Sequence, residues 1–446
     1  MVGKELIACL HEWGIDKVFC VTVDNASSND VALKRLKSSL QENNHGLVLN
    51  GEMFHMRCCA HILNLVVCDG LKEINHAISS IRNAVRYPMS STERLKRFKE
   101  SCKEANIESR DLLCLDVSTQ WDSTYLMLER VLKFKKAFEI LDGDANYTKY
   151  FEEERVNGKG IEGPPVHDDW EKARVFVKFL KAFYIVTMKI NGSQYVTSNL
   201  FFKEICEVQG NLRELGRDQN TLLGSMAISM NMKFDKYWGN IEKMNMLLYI
   251  ATILDPRYKI KLLKLGFIYL YDEETSEKML KHVEDTLNKL YNYYKEKNTA
   301  PNLDQPQPQE AIGVGSSSLS SQPCLDFHSF LAQKLNQDDS IETNDLEDYL
   351  TDRREKFVDE SFDILLWWKA NANRYKIVSQ MAKDVLAIQF STAASEFAFS
   401  TGGRILDRFR SSVSPKMVQA LICTKNWLNI NKEPLFFTNI WMRWRH

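Results

Sequence analysis

No Cys-x-x-Cys pair occurs among the ten cysteines of the chain. Structural zinc modules draw on that spacing, and secreted disulfide scaffolds pack cysteine far more densely, so these residues read as reduced thiols of an intracellular protein. Net charge is nearly absent as well: 58 Lys and Arg against 59 Asp and Glu leave −1 at neutral pH. That balance excludes a whole-chain electrostatic pull on DNA or anionic membrane, so any nucleic-acid surface must be local. There is no uninterrupted apolar run of membrane-spanning length, and the opening MVGKELIACLHEWGIDK has no apolar centre of the secretory kind. What is present is an ordinary soluble composition, 44% hydrophobic and 26% charged over 446 residues, enough for about two or three domains.

Residues 3 to 14 have the spacing of an amphipathic helix, with Leu6, Ile7, Leu10 and Trp13 on one side and Gly14 at its end. The run KVFCVTV, Lys17 to Val23, reads as a strand buried on both faces that delivers Asp24 and Asn25 at its C-terminal end. Open α/β sheets place functional groups there. From its position alone, Asp24 is either such a group or a cap for a helix starting near Ser27 or Ser28. In MRCCAHILNLVV the apolar stripe Ile62, Leu65 and Val66 follows Cys58 and His61. Together with His55, Cys59 and Cys68 these two offer ligand-type side chains, but their spacing matches no four-ligand zinc pattern.

DLLCLDVSTQWDSTYLML, Asp111 to Leu128, reads as a short strand passing into a helix after Ser123 or Thr124. From about Tyr125 to Tyr294 the apolar spacing is helical, interrupted at 157–165 and at Asp255-Pro256-Arg257-Tyr258-Lys259. Asn298 to Gln322 is rich in Pro, Gln, Ser and Gly and is expected to be a disordered linker. Two amphipathic helices follow, one on Ile364, Leu365, Trp368 and Ala372, the other on Tyr375, Val378, Met381, Ala382 and Val385. Ser391 and Thr392 are good N-caps for a third helix, which carries Glu396 in its first turns and which Gly402 and Gly403 are expected to stop. By position alone Glu396 is a first-turn glutamate favoured by the helix dipole.

Several stretches carry a family resemblance. DILLWWKANANRYKIVSQMAKDVLAIQ, ASEFAFSTGGRILD and SPKMVQALICTKNWL resemble the C-terminal dimerisation region of hAT-superfamily transposases, most closely the plant RICESLEEPER-like group. VTVDNASSND and MKFDKYWGNIEKMNMLLYIATILDPRYKI are similar to further segments of that family. The fold implied is α/β and mostly helical: an incomplete ribonuclease-H-like core over 1–124, an all-helical insertion over 125–297 and a linker over 298–344. The dimerisation region with the last core helix then spans 345–430, ahead of a divergent tail, 431–446. The resemblance implies that Asp24 and Glu396 are catalytic, metal-binding carboxylates, and that Cys58 and His61 support the site. It implies that Trp121 lies near DNA, where an aromatic stacks on a base for about 1–3 kcal/mol. Gln120 and Asp122 stand where the family usually has Arg and Asn. Leu365, Trp367, Trp368 and Tyr375 are the residues implied in dimerisation.

Two-metal hydrolysis needs carboxylates from several elements to hold ions about 3.5–4 Å apart. The family's first catalytic Asp, like its BED-type zinc finger, lies upstream of the helix with which this sequence opens. The expectation is therefore a nuclear, DNA-binding, dimerising protein derived from a transposase but without cleavage activity. It would need no cofactor, since Mg²⁺ enters only with a complete catalytic core. Expected partners are DNA and a second copy or a related hAT-type protein, with no membrane. The alternatives are a working transposase whose sequence continues further, or a non-functional fragment.

Overall fold

The computed structural model describes residues 2–42, 46–109, 111–156, 161–192, 195–217, 221–239, 244–299, 344–356, 362–405 and 413–428. Most of the expected linker and the tail beyond 428 lie outside them. The observed class is α/β and mostly helical, with a single pair of strands among the described residues.

The chain opens with α1 (Val2–Glu12), which Gly14 ends in the left-handed region at φ 62°, and α1 lies on α2 (Ser27–Glu42). Between them runs β1 (Val21–Val23), parallel to β2 (His55–Arg57), with Val21 opposite His55 and Val23 opposite Arg57. The strand is shorter than the expected Lys17 to Val23, because Val18 makes only an isolated bridge to Leu47 and the ladder starts three residues later. It is half-buried rather than covered on both faces. Leu33, Leu36 and Leu40 of α2 meet Val18, Leu47 and Phe54 in a small core of their own.

After β2 comes α3 (Cys59–Leu71), which packs along α11 (Leu222–Trp238). Gly70 makes the close approach possible: a Cβ there would meet Met230 Sδ at 2.6 Å. Between these two helices the chain forms α4 (Asn75–Met89), α5 (Thr92–Glu104), α6 (Trp121–Leu132), α7 (Lys135–Asp142), α8 (Ala145–Val156), α9 (His167–Ile190) and α10 (Phe201–Leu215). The expected strand near Asp111 is absent: residues 111–117 form no helix or strand, and α6 begins at Trp121 itself. The Arg82 guanidinium grips both oxygens of Asp116 at 2.7 Å and pins the segment to α4.

Then follow α12 (Leu247–Ile253), α13 (Lys259–Leu270) and α14 (Glu273–Thr299), and the C-terminal helices α15 (Asp345–Thr351), α16 (Ile364–Asn371), α17 (Lys376–Leu386), α18 (Ala393–Ile405) and α19 (Pro415–Leu428). One continuous core runs from Val48 to Phe390, so α15 to α17 are part of the same body as the helical block. The turn at Asp255 is where they lock. Asp255 is fully buried and takes bonds from Asn199 and the Arg257 guanidinium, while Leu254 O accepts Trp368 Nε1 at 2.9 Å and Ile253 O accepts the Tyr349 hydroxyl at 2.9 Å. Gly402 and Gly403 do not stop α18, which continues to Ile405. Gly402 instead lets α19 come close, since a Cβ there would stand 3.3 Å from Ile422 Cδ1.

Candidate functional site

Asp24 sits where the parallel ladder ends. Its Oδ1 accepts the Ala26 N–H at 2.9 Å and the Asn29 side-chain amide at 2.6 Å, an Asx-type turn that starts α2. Neither of its sequence-level readings excludes the other: the carboxylate organises the turn and remains half-buried at the strand end.

One residue earlier, Val23 O accepts the backbone N–H of Cys58 at 2.8 Å, which places Cys58 directly beside the Asp24 turn. The Cys58 sulfur is a hub. It accepts the N–H of His61 at 3.4 Å as the N-cap of α3, and from far along the chain it accepts the N–H of Thr392 at 3.2 Å and lies 3.1 Å from the Thr392 hydroxyl oxygen. The same hydroxyl lies 2.7 Å from Glu396 Oε1. Two further bonds fix the approach of this distant segment: Cys59 N–H to Phe390 O at 2.8 Å and the Thr22 hydroxyl to Gln389 O at 2.5 Å. Asp24, through its neighbour Val23, and Glu396 are thus linked by way of Cys58 and Thr392.

Glu396 is exposed there, as a first-turn residue of α18. Cys59, by contrast, is fully buried, and burial next to Cys58 pushes its thiol well above its ordinary pKa, which keeps it an apolar core group. His61 is half-buried on the first turn of α3. Among the described residues no three His, Cys, Asp or Glu side chains converge closely enough to hold a metal ion. Asp24 and Glu396 do not by themselves compose a two-metal site.

The other expected site residues fall elsewhere. Trp121 is 2% exposed, its ring tilted against Tyr125, and its backbone N–H donates to Asn64 Oδ1 at 3.3 Å. It is a core aromatic at the start of α6, and no face of it is free for a base. Leu365, Trp368 and Tyr375 are buried within one chain, and Trp367 is half-buried, stacked against Tyr375 and bonded to Glu355. They hold α15, α16 and α17 together.

One group went unrecognised in the sequence. Arg57, the last residue of β2, reaches Asn25 Oδ1 at 3.1 Å beside Asp24, and stands 4.0 Å from Asp30. It also borders a cavity of about 560 Å³ lined by His55, Lys236, Tyr237, Asn245 and Leu248. Burial, and then Arg57 itself, lowers the His55 pKa, so the imidazole is neutral at physiological pH and the positive charge at this cavity comes from Arg57 and Lys236. The available signal was the alternation of His55-Met56-Arg57 before the Cys58 cap, too short a run to read as a strand.

A strand-end aspartate and a helix-borne glutamate, with a helical block threaded between them, are the arrangement the resemblance led one to expect. Family profiles agree with it. Residues 1–53 match the ZBED1 RNase-like domain, 56–160 the ZBED1 RNase-like helical domain, 199–294 the hAT-like transposase RNase-H fold and 345–428 the hAT family C-terminal dimerisation region. The chain carries domains of the hAT transposase family and is similar to the RICESLEEPER-type proteins. It is 35% identical over 441 residues to zinc finger BED domain-containing protein RICESLEEPER 1 of Oryza sativa subsp. japonica, covering 96% of this chain and 58% of that protein. A putative AC transposase of Zea mays is 34% identical over 436 residues, 97% of this chain and 51% of its own length. The DAYSLEEPER protein of Arabidopsis thaliana is 30% identical over 422 residues, 94% of this chain and 56% of its own length. The chain spans about half the length of the curated relatives it matches. No helix among the described residues is long and apolar enough to cross a membrane.

Proposed function

We propose that the chain is a transposase-derived nuclear protein that binds DNA and self-associates, with a site at Asp24, Cys58 and Glu396 that holds the fold together without cutting DNA. The observation that carries this reading is the Cys58 hub. Around it both carboxylates have structural partners, Asp24 in the turn before α2 and Glu396 on the Thr392 hydroxyl. Arg57 and Lys236 beside it supply the local positive charge that a near-neutral chain needs to meet phosphate. Self-association is proposed on the match of residues 345–428 to a dimerisation region.

Mobility-shift titration over a range of salt tests the DNA reading. Each phosphate contact contributes about 0.9 to the slope of log K against log salt, so Arg57→Ala with Lys236→Ala should flatten it by roughly two contacts. An unchanged slope in the double variant removes this surface from the interface. A plasmid-nicking assay with Mg²⁺ or Mn²⁺ tests the absence of cleavage.

A second reading, a strand-cleaving enzyme, is favoured by the exposure of Glu396 beside the strand-end Asp24. Two carboxylates at one locus are the part of a phosphodiester-cleaving site that this chain contributes. Nicking that disappears in Glu396→Ala would establish it over the first.

A further inference from the structure

α13, in the middle of the helical block, is apolar on both of its sides. Leu263, Phe267 and Leu270 are buried, with the Phe267 ring against Phe202 of α10 and Tyr249 of α12. On the outer side Leu265, Ile268 and Tyr269 are 57%, 67% and 64% exposed, and their spacing of three and four residues puts them on one stripe. A helix at a protein surface turns polar groups outward, so three large apolar side chains in a row there mark a contact face. Tyr269 is already placed for one. Its hydroxyl lies over Gly210 of α10, where any Cβ would collide with it. Glycine inside a helix is destabilising relative to alanine, and the room it makes here holds an aromatic that then loses little freedom on binding.

Charge decides what covers the stripe. Lys261 is exposed in the first turn of α13, the positive end of its own helix dipole, where a cation is disfavoured. Glu273 is exposed just past the other end. Its neighbours are engaged, Asp272 in capping Thr275 and Glu274 on Lys278, whereas Lys261 and Glu273 form no ion pair among the described residues. At an antiparallel crossing centred on residue 267, positions equally far from the centre face each other. Leu265, two before it, meets Tyr269, two after it, and Lys261, six before, meets Glu273, six after. The same crossing carries Lys261 to the negative end of the other helix. We infer that the outer stripe of α13 packs antiparallel against α13 of a second copy of this chain, at a contact separate from residues 345–428.

This contact goes beyond the self-association proposed above, which rests on another part of the chain. A helix of 12 residues is about 18 Å long. Its outer face therefore falls short of the ~800 Å² per partner of a standard interface, and the contact is weak when it acts alone. It gains strength by repetition. In a pair of chains already held together elsewhere, each copy still presents one such stripe, so the contact joins pairs into larger assemblies.

The test is sedimentation velocity of the full chain over a concentration series, for the wild type, Ile268→Glu, Lys261→Glu, Glu273→Lys and the exchanged pair Lys261→Glu/Glu273→Lys. Circular dichroism and the melting temperature accompany each and should stay close to wild type, because all three positions are exposed. The expected result is a wild-type species larger than a dimer that grows with concentration. Ile268→Glu should remove it, each single charge reversal should weaken it about tenfold, and the exchanged pair should restore it. A larger species indifferent to Ile268→Glu, or charge reversals that the exchange does not rescue, overturns the antiparallel contact. Where the wild type stops at a dimer, Ile268→Glu separates the two readings. A dimer that it abolishes keeps the α13 contact and removes the one at residues 345–428, and a dimer that it leaves intact does the reverse. A monomer at every concentration overturns both.

Discussion

The Thr392 hydroxyl lies 3.1 Å from Cys58 Sγ, across 334 residues of sequence, and donates at 2.7 Å to Glu396. This contact ties the start of α18 to the end of the strand pair, and the Thr392 N–H reinforces it at 3.2 Å. Thr392→Val keeps the shape and the backbone N–H bond but removes the hydroxyl from both partners. The loss of one partly buried hydrogen-bonding group should cost about 0.5–1.5 kcal/mol in denaturant unfolding. A sharper readout is amide exchange, which should accelerate over residues 391–396 while α3 stays protected. Equal protection in both proteins would mean that the hydroxyl does not hold this segment.

Trp368 stands at the other junction. It has no exposed surface, its ring centroid lies 5.0 Å from Tyr349 and its indole N–H bonds to Leu254 O. Trp368→Ala should therefore lower stability by roughly 3–5 kcal/mol through the cavity and the orphaned carbonyl. Because the residue is intrachain core, the loss should appear at every protein concentration. A destabilisation that vanishes on dilution would place Trp368 at an interface instead.

The contrast between these two junctions shows what the sequence could reveal. The apolar spacing of Ile364, Leu365 and Trp368, and of Val378, Met381 and Val385, marks both helices, and the structure buries those positions. Periodicity specifies which face is covered but not by what, so a buried stripe in a dimerisation region reads equally well as interface or as core. Trp121 was ambiguous for the same reason. An aromatic at a helix start is compatible with stacking on a base, and only the packing of Tyr125 and Asn64 around it decides for the core. Arg57 escaped notice because its significance comes from Asn25, a neighbour across the strand pair that spacing along the chain cannot supply. The strand expected near Asp111 failed because local β-propensity cannot foresee an arginine on another helix taking the Asp116 carboxylate.

That carboxylate, Asp116, gives a pH prediction. Burial alone would raise its pKa, yet the bonds from Arg82 and the Thr124 hydroxyl outweigh burial and hold it below the ordinary carboxylate range. A depressed folded-state pKa contributes stability that is present above the unfolded value of about 3.9 and is lost as pH falls through the folded one. Asp116→Asn should cost about 3 kcal/mol at neutral pH, the low end for breaking a buried pair, because Arg82 keeps some contact with water. The stability gap between wild type and variant should close as pH falls below about 4. A gap constant down to pH 2 would mean that folding leaves the Asp116 pKa at its unfolded value.

Lys259 has the opposite sign. It is buried at the start of α13, over the Tyr349 ring at 4.8 Å, and its ammonium donates to the carbonyls of Tyr349 and Asp352 at the end of α15. Burial lowers its pKa, with Asp352 opposing the shift. The unfolded lysine then holds its proton to higher pH than the folded one, so wild-type stability rises with pH between the lowered value and about 10.4. Lys259→Met abolishes that term, and the difference in unfolding free energy between wild type and variant should grow in favour of the wild type from pH 8 to pH 10. Since the two carbonyls close α15 onto the Asp255 turn, the variant should also show faster amide exchange in α15 than in α17, at any pH. A pH-independent difference would mean that the lysine reaches solvent when charged, and the buried contact between α13 and α15 would have to be given up.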